Sequence, residues 1–198
     1  MAAVRTFTLP HYEAYPVQVA LFKDVKNADF LRSQLLAANP AFDYAFLDAA
    51  MILTPLHLLT ATFHALHAFA THTQKTRTPH SELVFRLSPN NNIGASYKTF
   101  GIAPDTTSLV CVKLPLRADG SADERVTRDS VAAHLGQVVE GESVQVGELG
   151  EGLGQFAEVH RVKKVYKIAC AKGGSKGMKD DRGDLESVVL GAIALKGS

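Results

Sequence analysis

Residues 81–102 read SELVFRLSPNNNIGASYKTFGI, and their reading decides whether the middle of the chain adds a strand or a helix to the fold. Leu83, Phe85 and Leu87 alternate with Glu82, Val84 and Arg86, a period of two that predicts a strand over Ser81–Leu87. Pro89 has no N–H for a ladder and stops it. Asparagine accepts left-handed backbone angles and mimics a turn. One of Asn90, Asn91 and Asn92 can also cap a helix over Ile93–Phe100 that Gly101 ends. Local structure uses one or two of these asparagines. The third is surplus and exposed, beside a helix N-terminus whose N–H groups suit a phosphate or a base edge.

Upstream, Val17, Val19 and Leu21 predict a half-buried strand over 15–25. Asn27 caps a helix through Phe30, Leu31, Gln34 and Leu35, which Asn39-Pro40 stops. A short buried strand starts 42–53. Thr54-Pro55, an N-cap followed by proline at the first helical position, opens a helix to about Ala70. Leu56, Leu59, Phe63, Leu66 and Phe69 or Ala70 form its apolar stripe. Residues 71–80 read as a polar, basic loop.

Downstream, Thr107–Leu114 is a central strand stopped by Pro115, and Val126–Leu135 a helix. His160–Ile168 packs Val162, Val165 and Ile168 as helix or strand. Glycine and lysine make 171–183 a flexible loop, and Asp184 caps a last helix, Leu185–Lys196. Strands and helices mix without strict alternation. The fold class is α+β, one mixed sheet with helices packed on it, in a single domain over 1–198.

Composition agrees. The chain has 198 residues, 46% apolar and 21% charged, with net charge +1, so a packed core forms and no global field draws it to nucleic acid or an anionic membrane. Cys111 and Cys170 are too few for a disulfide scaffold or a zinc site, which points to a reduced intracellular compartment. The N-terminus lacks the apolar run of a signal peptide. Asp48, Pro55 and three histidines interrupt the longest apolar segment, Ala45 to Ala70, so no membrane span is expected.

His57, His64, His67, His72 and His80 crowd a short stretch. His64 and His67 share a helix face, but no carboxylate stands at a ligand spacing and no His-Glu-x-x-His pattern occurs, so no metal site is assigned. In GELGEGLG (147–154) the glycines are misplaced for a dinucleotide turn, and Glu148 and Glu151 sit where phosphate must come. No nucleophile motif appears. The chain reads as a binding protein, with no catalytic residue, cofactor or small-molecule substrate. A histidine-based metal protein and a pure scaffold are the alternatives. The basic stretch 161–182 is a solvated face or a phosphate-tracking patch. SVVLGAIAL (187–195) is apolar almost all round. It is either buried in the domain, as a helix or a strand, or packs half of its surface on another protein.

Several segments together resemble the TPRKB family, the PRPK-binding subunit of the KEOPS (EKC) complex, in its fungal form. They are Thr78-Pro79-His80-Ser81-Glu82-Leu83-Val84-Phe85, Leu87-Ser88-Pro89-Asn90-Asn91-Asn92-Ile93 and Phe100-Gly101-Ile102. Val19-Ala20-Leu21-Phe22-Lys23-Asp24-Val25-Lys26-Asn27, Leu56-His57-Leu58-Leu59 and Ala192-Ile193-Ala194-Leu195-Lys196 join them. The loops 117–125 and 171–183 depart from the family pattern.

The resemblance implies a non-catalytic subunit of the complex that makes threonylcarbamoyladenosine in tRNA. Such a subunit binds the small lobe of a PRPK-type atypical kinase, which contacts a Kae-type transferase, and it helps hold tRNA by its 3′ CCA end. It also implies a place in nucleus and cytoplasm and, in fungi, at the telomeric chromosome. With the apolarity of the last helix, it makes Leu185, Val188, Val189, Ala192, Ile193 and Leu195 the expected kinase contacts. For tRNA, our own reading of the residues puts the CCA end at Asn90, Asn91 and Asn92, with Tyr97 to stack and Lys75, Arg77 and Lys98 on phosphates.

Overall fold

The computed structural model describes residues 1–117, 119–168 and 182–196. Its strands are β1 (Val4–Phe7), β2 (Val17–Lys23), β3 (Ala45–Asp48), β4 (Leu109–Lys113) and β5 (Glu142–Val144). Its helices are α1 (Ala28–Leu36), α2 (Pro55–Ala70), α3 (Pro79–Leu87), α4 (Ile93–Phe100), α5 (Arg128–Val138), α6 (Val159–Val165) and α7 (Arg182–Ala194). All strand pairs are antiparallel. The order is β1-β2-β4-β3, and β5 continues the β1 edge by pairing with Leu21–Lys23 of β2. The α+β class holds.

Helices cover both sheet faces. Val19, Leu21, Leu47, Val110 and Val112 point to a core roofed by α2, α3, α6 and α7. Ala20, Phe22, Phe46, Leu109 and Cys111 point to a second core under α1 and α5. This overturns the half-buried reading of β2: its first six residues are all buried, because a central strand covered on two sides loses the alternation that an open sheet shows.

The larger correction concerns Ser81–Leu87, which is helical. Thr78 caps α3 by accepting from the Ser81 N–H at 3.2 Å, and Pro79 takes the first helical position. The start signal is the same as at Thr54-Pro55, where Thr54 accepts from the His57 N–H at 3.1 Å. The alternation misleads because α3 is buried nearly all round. Glu82 and Arg86 are not a solvent face but an inward i, i+4 pair, 2.8 Å apart.

Smaller differences have local causes. The buried stripe of α2 runs through His57, Leu58, Ala61, Thr62, Ala65, Leu66, Ala68 and Phe69, while Leu56 is exposed. Asn27 stands at the N-cap of α1 without capping it; its side chain donates to Val138 O and accepts from Glu140 N. Asp184 lies in the first turn of α7 rather than before it. The flexible-loop reading of 171–183 falls outside the described residues except for Arg182 and Gly183, which are helical.

Candidate functional site

The histidine group resolves into separate roles. His57 is fully buried. Its Nδ1 accepts from the Leu53 N–H at 3.2 Å, so the ring proton sits on Nε2 and is donated to the Tyr166 hydroxyl, 3.0 Å away. That hydroxyl donates onward to Leu87 O. Burial pushes the His57 pKa down to about 3, so the ring is neutral. His80 accepts from the Leu114 N–H through Nε2 at 2.9 Å, which leaves its proton on Nδ1, 3.0 Å from the Asp43 carboxylate. Burial pushes His80 down. Asp43 is pushed up by burial, but the His80 ring 3.0 Å away and the Lys113 charge together outweigh this and hold it below the usual range. His67 stays at the surface, where Nδ1 lies 2.7 Å from the Tyr12 hydroxyl. Among the described residues no three histidine, cysteine or acidic side chains converge as metal ligands.

The asparagine block divides its labour. Asn90 Oδ1 accepts from the Asn92 N–H at 2.9 Å, and Asn92 caps α4 by accepting from the Ala95 N–H at 2.8 Å. Asn91 is the exposed remainder. Behind the block, Lys196 donates to the carbonyls of Phe85, Ser88 and Asn90 and lies 3.5 Å from the Phe85 ring centroid. The last residue of the Ala192–Lys196 match therefore locks onto the Leu-Ser-Pro-Asn-Asn-Asn match, a link that spacing along the chain does not reveal.

The other expected RNA residues fall into a second group. Arg77, Tyr97 and Lys98 line one cavity of about 710 Å³, enclosed by α1, the turn after it, the start of α3, and α4. Asn90, Asn91, Asn92 and Lys75 do not line it. Lys75 is exposed on the neighbouring loop, whose Lys75 and Thr76 N–H groups bond the buried Glu82 carboxylate at 3.0 Å each. Arg86, close to this group in sequence, is buried against Glu82 and donates to Lys196 O at 3.0 Å, so it offers no surface charge. The cavity brings in residues that sequence reading missed: Arg32, Asp43, Tyr44, His80 and Ile102. Their one sequence signal is Thr78-Pro79, which as a helix start turns His80 and Ser81 inward.

The last helix is split. Leu185, Val189 and Ile193 are 2%, 0% and 1% exposed and belong to the chain's own core. Val188 and Leu195 are 49% and 74% exposed, with Ala192 half-buried between them in sequence. Thr54 donates to Glu186 and ties the start of α7 to the start of α2, where Leu56 is also 50% exposed. Apolarity all round thus has two causes, one face for the core and one left open.

An α+β domain with an open apolar helix face, a pinned polar turn and a lined cavity has the build of a binding module. The comparisons give the family. The model for the kinase binding protein CGI-121 matches residues 22–197. The EKC/KEOPS complex subunit CGI121 of Phaeosphaeria nodorum is 55% identical, covering 99% of this chain and all of that protein. Its namesake in Aspergillus fumigatus is 42% identical over 98% of this chain and 97% of its own length. That of Schizosaccharomyces pombe is 30% identical over 96% and 98%. The chain belongs to the kinase binding protein CGI-121 family.

Proposed function

We propose that this chain is the non-catalytic, kinase-binding accessory subunit of an EKC/KEOPS complex that makes threonylcarbamoyladenosine in tRNA. In that role α7 docks the small lobe of a PRPK-type atypical kinase, which bridges to a Kae-type transferase. The same chain helps recruit tRNA through its 3′ CCA end. Its work lies in the nucleus and cytoplasm and includes the telomeric chromosome. The names of its relatives support membership of the complex. The open face of α7 is the observation that carries the kinase contact: Val188 on the helix and Leu195 just past its end are exposed, while Leu185, Val189 and Ile193 on its other side are core. Leu185, Val189 and Ile193 support that face from beneath, so an arginine at Val189 would break the fold rather than the complex.

The test is co-purification with the kinase. Val188→Arg with Leu195→Arg should leave the melting temperature within a few degrees and release the kinase. A double variant that still brings the kinase down in full sinks the α7 assignment. The assembled pair is then titrated with tRNA carrying or lacking its CCA end, across a salt series. Intact tRNA should bind and the trimmed one should not. Lys75→Ala with Arg77→Ala should flatten the salt dependence. Kinase binding without preference for the CCA end would reduce the subunit to a scaffold.

A further inference from the structure

Just past the end of α7, two consecutive residues face opposite ways. The Leu195 N–H donates to Gly191 O and the Lys196 N–H to Ile193 O, each at 3.1 Å, so the final turn tightens. Leu195 is exposed and Lys196 is buried. Leu195 belongs to the face that the proposed function gives to the kinase. Lys196 is packed against the end of α3 and the turn that follows it. Its amine donates to Ser88 O at 2.6 Å, to Asn90 O at 2.8 Å and also to Phe85 O. Its carbonyl accepts from Arg86 at 3.0 Å, and Arg86 is in turn held by Glu82 at 2.8 Å. The chain end is thus fastened twice, through a side chain and through the backbone.

The turn over 88–92 is poorly covered. Pro89, Asn90, Asn91 and Asn92 are all exposed. Its own bonds are short-range: the Asn90 N–H donates to Ser88 Oγ at 3.1 Å, and the Asn92 N–H to Asn90 Oδ1 at 2.9 Å. Lys196 reaches it from 106 residues away. Such a tie opens and closes, because helix ends fray and a fixed lysine loses rotamer freedom. A protein seated on Leu195 holds the last turn still and offsets part of that entropy loss, so the neighbouring Lys196 stays in place for a larger fraction of the time. We infer that Lys196 couples kinase docking on α7 to the order of the 88–92 turn. The turn is fastened when the kinase is bound and looser when it is not. Lys196 is a positioning residue here, acting through Leu195 on one side and through three carbonyls on the other. The coupling is reciprocal: whatever steadies the turn tightens the kinase complex by the same factor.

This coupling rests on the α7 docking reading above and makes no use of the tRNA reading. The experiment is amide exchange of the full chain, alone and saturated with its PRPK-type kinase. In the natural sequence the kinase should slow exchange about fivefold or more, both in the last turn of α7 and at Asn90, Asn91 and Asn92. In Lys196→Met it should slow the last turn of α7 and leave 88–92 as fast as in the unbound variant. If the kinase still protects 88–92 in Lys196→Met, it covers the turn directly and the coupling is overturned. Asn90→Ala, at an exposed position, tests the tie from its other end by removing the acceptor of the Asn92 N–H. It and Lys196→Met should each weaken kinase affinity about fivefold. The double variant should be no weaker than either alone, since both undo one tie. Losses that multiply, or an affinity untouched by both variants, overturn the inference. Protection of α7 with 88–92 unchanged in the natural sequence also overturns it, and leaves the docking reading standing. A bound kinase that leaves α7 itself unprotected removes the docking reading and the coupling with it.

Discussion

His57 shows what a single polar side chain costs and secures here. It occupies the centre of the larger core, with both ring nitrogens satisfied by Leu53 and Tyr166. Its neutrality has a linked consequence for pH. The ordinary value of 6.5 falls to about 3 in the fold, so between these values the unfolded chain holds the proton and the folded chain does not. Stability is therefore full above pH 6.5 and declines as the pH falls, by up to about 1.4 kcal/mol per pH unit per group. His80, pushed down by burial as well, adds in the same direction. Urea unfolding at pH 7 and pH 5 should show this loss, with a shallower dependence in His57→Gln. An unchanged dependence in that variant would mean that His57 is not the group that titrates. The sequence displayed the histidines plainly. It did not display their partners, because Tyr166 comes 109 residues later and Leu114 lies 34 residues from His80.

Helix α3 shows where periodicity and punctuation conflict. Over Ser81–Leu87 the alternation of apolar and polar residues fits a strand. The pair Thr78-Pro79 just ahead of it fits a helix start, and the structure follows the punctuation. A backbone terminus needs its N–H groups satisfied whatever surrounds it, whereas alternation carries information only when one face meets water. For α3 neither face does. Caps were therefore the legible signal: α2 starts where its Thr-Pro pair indicates, α4 starts after an asparagine cap, and α3 would have been found by the same rule. Strands β2, β3 and β4 were legible from branched and aromatic runs. Strand β1 was not, since four residues are too few to show a period and its register comes from the partner strand. If the cap defines α3, Thr78→Ala should cost about 1 kcal/mol. Thr54→Ala should cost more, because its hydroxyl also donates to Glu186 and anchors α7. Chemical denaturation of the two variants under identical conditions compares these costs. Equal losses would mean that the Glu186 contact contributes nothing.

On the scale of the whole molecule, α3 connects the two candidate surfaces. Glu82 holds the Lys75–Thr76 loop through one carboxylate oxygen and Arg86 through the other. Arg86 reaches Lys196 O, and the Lys196 amine returns to the carbonyls of Phe85, Ser88 and Asn90. Burial, then the neighbouring Arg86 charge, press the Lys196 pKa down to about 8. Three carbonyl acceptors call for three hydrogens, so at neutral pH the ammonium form occupies the site. The chain is thus closed by a latch just beyond the end of α7, and the asparagine turn is part of its keeper. Two matching segments far apart in sequence thus meet at one place: one supplies the amine, the other the Ser88 and Asn90 carbonyls, 108 and 106 residues away. The latch fastens the rim of the fold and not the sheet, whose strands are held by their own ladder and two cores. Lys196→Met keeps the length of the side chain but removes the amine from the Ser88 and Asn90 carbonyls and from Phe85 O, which keeps only the Ser88 N–H, a loss of about 1–3 kcal/mol. That loss should be local. Amide exchange should quicken in the last turn of α7 and over 88–92, while β2 and β4 keep their protection. Glu82→Ala, which strands the buried Arg86, should cost about 3–5 kcal/mol and loosen the Lys75–Thr76 loop as well. If Lys196→Met instead raised exchange in β2 and β4 as much as in α7, the latch would be part of the global fold, and the α7 surface could not be adjusted independently of it.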